Sequence, residues 1–286
     1  MSKRTKSNIA LICAVCLMCC MLCGFSWNAG AFEADSRSDT VEVYVDGILT
    51  SRCRVEDGKA YMPMRDFCDA LKMGFTELEP AEGYSFLAEL GGVRVAVSGD
   101  GKYMTADGRY FYLASGEKLI NGEYYLPVVE MAKLFRARAV WDGSNCSVDI
   151  DTTSMCPLTP GDSFYSEDDV YWLSRIINAE SGNQSLEGMM GVGNVVINRV
   201  NDPSCPDTVH DVIFDTRYGI QFSPVETGGI YAEPNEQSVI AAKLCLEGYN
   251  VAGDSLYFVN PETGSTAWFR ETKTFVVTLG DHDFYA

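Results

Sequence analysis

Histidine is nearly missing from this 286-residue chain: there are two, His210 and His282, and no H-x-x-x-H spacing. An open zinc site with His-rich ligation therefore has no ligand set here, and no metal or other cofactor is expected. The G-x-S-x-G elbow of many serine hydrolases is also absent. Positive charge is scarce as well, with 22 Lys and Arg against 40 Asp and Glu and a net charge of −18. A surface of that sign repels nucleic acid and anionic membranes, so any polymer it binds must be held by local contacts.

One long apolar run is present. Lys3, Arg4 and Lys6 precede an uncharged stretch from Ile9 to Phe25, and Ala29 and Ala31 then supply an A-x-A cleavage pattern. Residues 1–31 read as an export signal. An uncleaved anchor is the rival reading, since the run is near the lower length for a spanning helix. Either way the bulk of the chain lies outside the cytoplasm, with no membrane insertion expected after cleavage. Loss of the signal takes the net charge from −18 to −21. The C-x-x-C spacings of Cys13, Cys16, Cys19, Cys20 and Cys23 fall inside this run, so they carry no metal or redox signal. Cys53, Cys68, Cys146, Cys156, Cys205 and Cys245 remain; disulfides are permitted there, and their connectivity is open.

The remainder has two grammars, as expected of about two domains. Residues 40–151 read as short strands and turns, with Asx-Gly dipeptides at 46–47, 57–58, 100–101, 107–108 and 121–122. A repeat is visible: "DGKAYMPMRDFCDALKMG" (57–74) aligns with "NGEYYLPVVEMAKLFRAR" (121–138). Each copy reads as a turn, a short strand, a proline and an amphipathic helix, and the second runs on into a hairpin, "AVWDGSNCSVDID". The doubled motif resembles the copper amine oxidase N-terminal-like domain. The first copy keeps its Pro-x-Arg in Pro63 and Arg65, whereas the second has Pro127 but Val129. No histidine lies in this half, so copper is not implied. The resemblance implies an accessory module of a secreted or wall protein, either wall-binding or a spacer.

Residues 152–165, rich in Thr, Ser, Pro and Gly, read as a linker. From 166 to 286 the pattern becomes helical, then strand-like. Ser166 and Asp169 make a capping pattern before Val170, Leu173, Ile176 and Ile177, and Ser181-Gly182 supplies a stop. A second helix starts at a Ser185 cap; Gly188, Gly191 and Gly193 within it suggest close approach of another backbone. A third spans 234–248, and "SLYFVN", "TAWF", "TFVVTLG" and "HDFYA" read as strands. The fold class is α+β.

Glu180 is the oddity. It lies seven residues after Leu173 and four after Ile176, on the buried stripe and near the helix C-terminus. Burial and the helix dipole both favour its protonated form, as a general acid for glycosidic cleavage requires. The plainer reading is a Glu that reaches the rim, or pairs with Arg175 or Arg199.

The text around it, "IINAESGNQSLEGMMGVGNVVINRV", is similar to the SleB/CwlJ-like cell wall hydrolases, the spore cortex-lytic enzyme family. "QFSPV" (221–225), "LYFVNPETGSTAWF" and "GDHDFYA" match further family motifs in order, with Gly280 and His282 in register. The resemblance covers about 170–286; Ser181 departs where Ala is common. It implies a lysozyme-like, lytic-transglycosylase-type α+β domain acting on peptidoglycan glycan strands, in the wall or the spore. Glu180 would be the acid/base for cleavage between muramic acid and glucosamine, with 1,6-anhydromuramic ends as product. Gln221, Phe222, Tyr257, Asn260 and Trp268 would line the glycan groove; Phe222 and Trp268 could instead be core, and Asn260 could set a turn. His282 would orient a polar group or make a structural hydrogen bond. Hydrolysis with a second carboxylate, drawn from Glu187, Asp215 or Glu226, stays open. So does a non-catalytic wall-binding protein, and so does the choice between spore cortex, with its muramic lactam, and vegetative wall.

Overall fold

The computed structural model describes residues 40–56, 58–262 and 266–286. The expected export signal (1–31) lies outside the described residues, as does Asp57 of the 57–58 turn. No helix among the described residues is long and apolar enough to cross a membrane. The structure is mixed α and β, β-rich first and helical after residue 160.

In the N-terminal half, β1 (Thr40–Val45), β2 (Ile48–Glu56), β3 (Lys59–Pro63), β9 (Lys118–Ile120), β10 (Glu123–Pro127), β11 (Arg138–Asp142) and β12 (Ser147–Asp151) form one sheet. Its order is β11-β12-β1-β2-β3-β10-β9, with β1 parallel to β12. The repeat explains the centre. β3 and β10 pair antiparallel, placing Met62 opposite Leu126 and Tyr61 opposite Pro127. At Pro63 and Pro127 the strands end and helices α1 (Met64–Ala70) and α2 (Val128–Leu134) begin, since proline cannot extend the ladder but suits a helix entry. Between the copies runs an antiparallel meander, β4 (Phe75–Leu78), β5 (Tyr84–Leu90), β6 (Val93–Ser98), β7 (Tyr103–Ala106) and β8 (Arg109–Tyr112). Met62, Phe67, Leu90, Met104, Leu126 and Met131 are fully buried in the shared core. At 46–47, 107–108 and 121–122 both turn residues have φ between 49° and 84°, the two-residue hairpin geometry their Asx-Gly sequences favour.

The stretch expected as a linker is docked instead. Leu158 is buried in the N-terminal core, and the Gly161 amide, opening the short helix α3 (Gly161–Phe164), donates to the Asp107 carbonyl at 2.7 Å. Composition reports neither contact. Beyond it come α4 (Glu167–Ser181), α5 (Leu186–Asn201), α6 (Val209–Ile213), α7 (Ser223–Thr227) and α8 (Glu236–Leu246). Ser166, Ser185 and Asn235 cap α4, α5 and α8 by accepting from the amides of Asp169, Gly188 and Ser238. The chain closes with β13 (Tyr257–Val259), α9 (Ala267–Thr272), β14 (Phe275–Leu279) and β15 (His282–Tyr285), the strands pairing as β13-β15-β14.

Two expectations change. "TAWF" is helical, because Trp268 and Phe269 both pack on Tyr257, at 6.3 Å each, whereas consecutive strand residues face opposite ways. The α5 glycines admit side chains and not a backbone. A Cβ at Gly191 would sit 2.6 Å from the Phe284 ring, and one at Gly193 2.8 Å from Cys245 Sγ. All six cysteines of the described residues are free thiols.

The two halves share a polar knot and a core. Glu247, just past α8, binds Arg109 of β8 through both oxygens and accepts from Tyr165 Oη at 2.5 Å. The Arg109 and Glu247 side chains are only 11% and 5% exposed. Beside this, Glu187 accepts from Lys102 Nζ (2.7 Å) and Tyr112 Oη (3.0 Å). Tyr103 and Tyr112 of the meander are buried in the same cluster as Leu173 and Ile176. Removing one partner of a buried ion pair strands the other. Glu247→Ala is therefore expected to cost about 3 kcal/mol and lower the melting temperature by about 6–12 °C. Glu42→Ala, at an exposed pair with Arg52, should change stability by less than about 1 kcal/mol. Equal thermal melts for the two variants would refute the role of the knot.

Candidate active site

Glu180 is the penultimate residue of α4, one turn beyond Ile176 and Ile177, which are fully buried with Leu173. The stripe is interior along its length and opens into a cleft at its end, where Glu180 is half-buried. Neither arginine considered as its partner reaches it. Arg175 pairs with Glu233 at 2.7 Å, and Arg199 Nε donates to the Leu256 carbonyl at 2.8 Å. Glu180 has no hydrogen-bond or ion-pair partner among the described residues, and burial raises its carboxyl pKa to about 7.

Polar side chains on α4 and α5 place the cleft walls around this group. Asn178 accepts from the Asn235 amide at 3.0 Å, and Asn235 Nδ2 donates to the Gly182 carbonyl at 2.8 Å, fixing the end of α4 to the start of α8. Gln184 clasps Asp281, accepting from its amide at 3.0 Å and donating to its carboxylate at 2.7 Å. A Cβ on Gly280, whose φ is +57°, would collide with Gln184 Oε1, so glycine is required for this clasp. The clasp holds the β14–β15 turn, and His282 behind it, against the end of α4. On α5, Asn194 receives the Val251 amide and donates to Tyr249 O, both at 2.8 Å. One turn on, Asn198 donates to Gly253 O (2.8 Å) and Ser255 O (2.9 Å). With Arg199 on Leu256, this row pins residues 249–256 and delivers β13 to the cleft.

The cleft has a volume of about 640 Å³, within the range of small-molecule sites. Glu180, Gln221, Tyr257, Asn260 and His282 of the expected set line it. Asn260 also sets a turn, its Oδ1 accepting from the Glu262 amide at 2.9 Å, so both of its readings hold. Phe222 does not line the cleft. It is 2% exposed, in the core with Leu173 and Ile176, and supports Arg199, whose guanidinium lies 5.2 Å from its ring. Trp268 is 52% exposed and stands outside the lining, edge-on to Phe269, which does line it. His282 makes no structural hydrogen bond: Nδ1 is buried without a partner among the described residues, and the ring stands edge-on to Phe258 at 5.2 Å. Burial lowers its pKa, against a smaller opposing pull from Asp281, so the imidazole is neutral at neutral pH.

Sequence reasoning missed Ile220, Ser223, Phe258, Val259 and Phe269 in the lining, and weighed Arg199 only as a partner for Glu180. A charged residue ending the apolar run "GVGNVVINR" was a usable signal for Arg199. Nothing in the text marks Ile220 or Val259.

Glu180 is the only carboxylate lining the cleft among the described residues. Glu187 is committed to Lys102 and Tyr112, which with its own amide outweigh burial and hold its pKa below the usual range. Glu226 is exposed on α7. Asp215 lines an adjoining cavity of about 160 Å³ and is held low by the Arg217 side chain, 2.9 Å away. No group of three or more His, Cys, Asp or Glu side chains is arranged for a metal among the described residues. The arrangement supplies one acid that titrates around neutral pH, in a polar cleft with aromatic faces.

Comparison with known proteins matches residues 183–285 to the family described as Cell Wall Hydrolase. A spore cortex-lytic enzyme of Oceanobacillus iheyensis is 32% identical over 120 residues, covering 42% of this chain and 42% of that protein. Another from Bacillus cereus is 33% identical over 120 residues, covering 42% and 45%. The cell wall hydrolase CwlJ of Bacillus subtilis is 28% identical, covering 41% of this chain and 84% of that one. The chain thus spans less than half the length of the spore cortex-lytic relatives. Among solved structures, the catalytic domain of the germination-specific lytic transglycosylase SleB from Bacillus anthracis is 33% identical over 43% of this chain and 97% of that one, with a TM-score of 0.39. Residues 183–285 therefore form a domain of the Cell Wall Hydrolase family.

Proposed function

We propose that the protein is an extracytoplasmic lytic transglycosylase that cuts peptidoglycan between muramic acid and glucosamine. The observation that carries this reading is a partnerless Glu180, raised to about 7, as the one carboxylate lining the cleft. With a pKa of about 7 it keeps a substantial protonated fraction at neutral pH, and that form gives its proton to the bridging oxygen as the glycosidic bond breaks. The resulting carboxylate then takes the proton from the muramic C6 hydroxyl, which closes on the anomeric carbon. The nucleophile belongs to the substrate, so its attack is intramolecular and needs no second carboxylate to hold a water. Gln221 and Asn260 present amides to sugar hydroxyls and N-acetyl groups, and Tyr257 and Phe269 present ring faces or edges. The printed name of the curated relatives, spore cortex-lytic enzyme, supports peptidoglycan as the substrate. The N-terminal half serves in this reading as an accessory module, wall-binding or spacer.

A second reading has one observation behind it. Asp215 lines a cavity that shares Arg199, Gln221 and Tyr257 with the cleft, and could hold a hydrolytic water from there. Mass spectrometry of a peptidoglycan digest separates the two. Anhydromuramic ends are expected; reducible muramic ends would mean hydrolysis. Glu180→Gln, which keeps shape but not the titrating proton, is expected to lower the rate by about 10²–10⁴-fold. A fully active variant would remove Glu180 from the chemistry.

The acid must start protonated, so activity falls as pH rises through about 7. Between pH 6 and pH 8, kcat/KM on soluble glycan should drop about tenfold; a flat profile there contradicts the assignment. The same shift acts on stability. A free glutamate titrates near 4.5 and the folded one near 7, so the fold's preference for the protonated form is complete below 4.5 and lost as pH passes 7. Glu180→Gln avoids that loss. It should unfold with about 1–2 kcal/mol more stability than the wild type at pH 8, and with none extra at pH 4. Calorimetry at the two pH values reads both.

A further inference from the structure

A second cavity, of about 490 Å³, is lined by α3, α4 and α8 and lies within the size range of small-molecule sites. It shares no lining residue with the Glu180 cleft. Its charges are layered. Arg175 of α4 is the deep one, its side chain only 10% exposed, and Lys243 of α8 is half-buried, facing the rings of Tyr110 and Tyr165 at 4.9 and 5.5 Å. The acids of the lining, Asp162, Glu167 and Glu233, are all exposed.

Arg175 is poorly served for a cation at that depth. Its guanidinium lies over the Tyr171 ring at 3.8 Å, and one amino group donates to Glu233 at 2.7 Å. Nε is buried without a partner among the described residues. Glu233 itself is 85% exposed, so the pair joins a desolvated cation to a solvated acid and adds little to stability. The fold alone gives no reason for a cation in this place. A ligand does: deep cations under a rim of acids complement a molecule with an anion at one end and a cation at the other. A planar carboxylate matches the guanidinium fork, whereas a dianionic phosphate would meet three acids on the way in. Tyr171, Val170, Pro234 and Val239 offer apolar surface between the two layers, and a single small amino acid would leave much of the volume unfilled.

We propose that this pocket binds a short zwitterionic peptide, its terminal carboxylate held by Arg175 and Lys243 and its ammonium by the acids of the rim. Glu233 then exchanges the guanidinium for the ammonium. The inference stands apart from the reaction at Glu180.

Calorimetric titration of the full chain with alanyl-alanine tests it, with a Kd below about 1 mM expected. Converting the carboxylate to an amide, or acetylating the amine, should each weaken binding about tenfold. Alanine should bind more weakly than the dipeptide; equal binding would make a free amino acid the bearer of the same two charges. Arg175 is left intact because it is buried in α4. Lys243→Gln should narrow the gap between the dipeptide and its amide, and Asp162→Asn the gap between the dipeptide and its acetylated form. Absence of binding by alanyl-alanine, caps that cost no affinity, or gaps that both variants leave unaltered would overturn the inference.

Discussion

An acid left without a partner is the constraint around which the C-terminal half is arranged. The chain had arginines within reach of the helix that carries Glu180, and it spent them elsewhere: Arg175 on Glu233, Arg199 on a backbone carbonyl and the Phe222 ring. Pairing Glu180 with either would have lowered its pKa. The apolar helix face, the asparagine row on α5 and the Gln184 clasp all keep walls close to that carboxyl without supplying a charge to it. An isolated carboxyl is costly when ionised, and that cost falls here at the wall of the cleft.

The second organising feature is the seam between the halves. Glu247 and Glu187, two carboxylates of the helical half, are both satisfied by the meander and the junction. With Tyr103 and Tyr112 in the helical half's core, the meander is structural support for α4 and α5. The acidic side chains of this chain therefore fall into separate roles: solvated surface, buried seam, and one acid at the cleft.

Much of this was legible in the text because it depends on local chemistry. Paired Asx-Gly turns, capping serines and the doubled strand–proline–helix unit each act within a few residues, and each appears in the structure. Glu180 was legible because helical periodicity fixes which face a residue takes. What failed depended on distant partners. Phe222 is core because it joins the cluster that holds Leu173 and Ile176, and "TAWF" is helical because Tyr257 receives two consecutive aromatics. The 152–165 stretch had a linker's composition but met a hairpin turn that its sequence does not encode. Lining residues such as Ile220 and Val259 carry no chemical mark; only their placement made them walls.

The docked junction also sets how the two halves can move. A slack tether lets a catalytic unit sweep a volume and cut wherever it arrives. Here the hairpin at 107–108, the Arg109–Glu247 knot and the buried tyrosines leave no slack between the halves. Whatever surface the N-terminal half rests on, the acid of the cleft comes down at a set distance from it. The molecule is then built as a ruler and not as a leash.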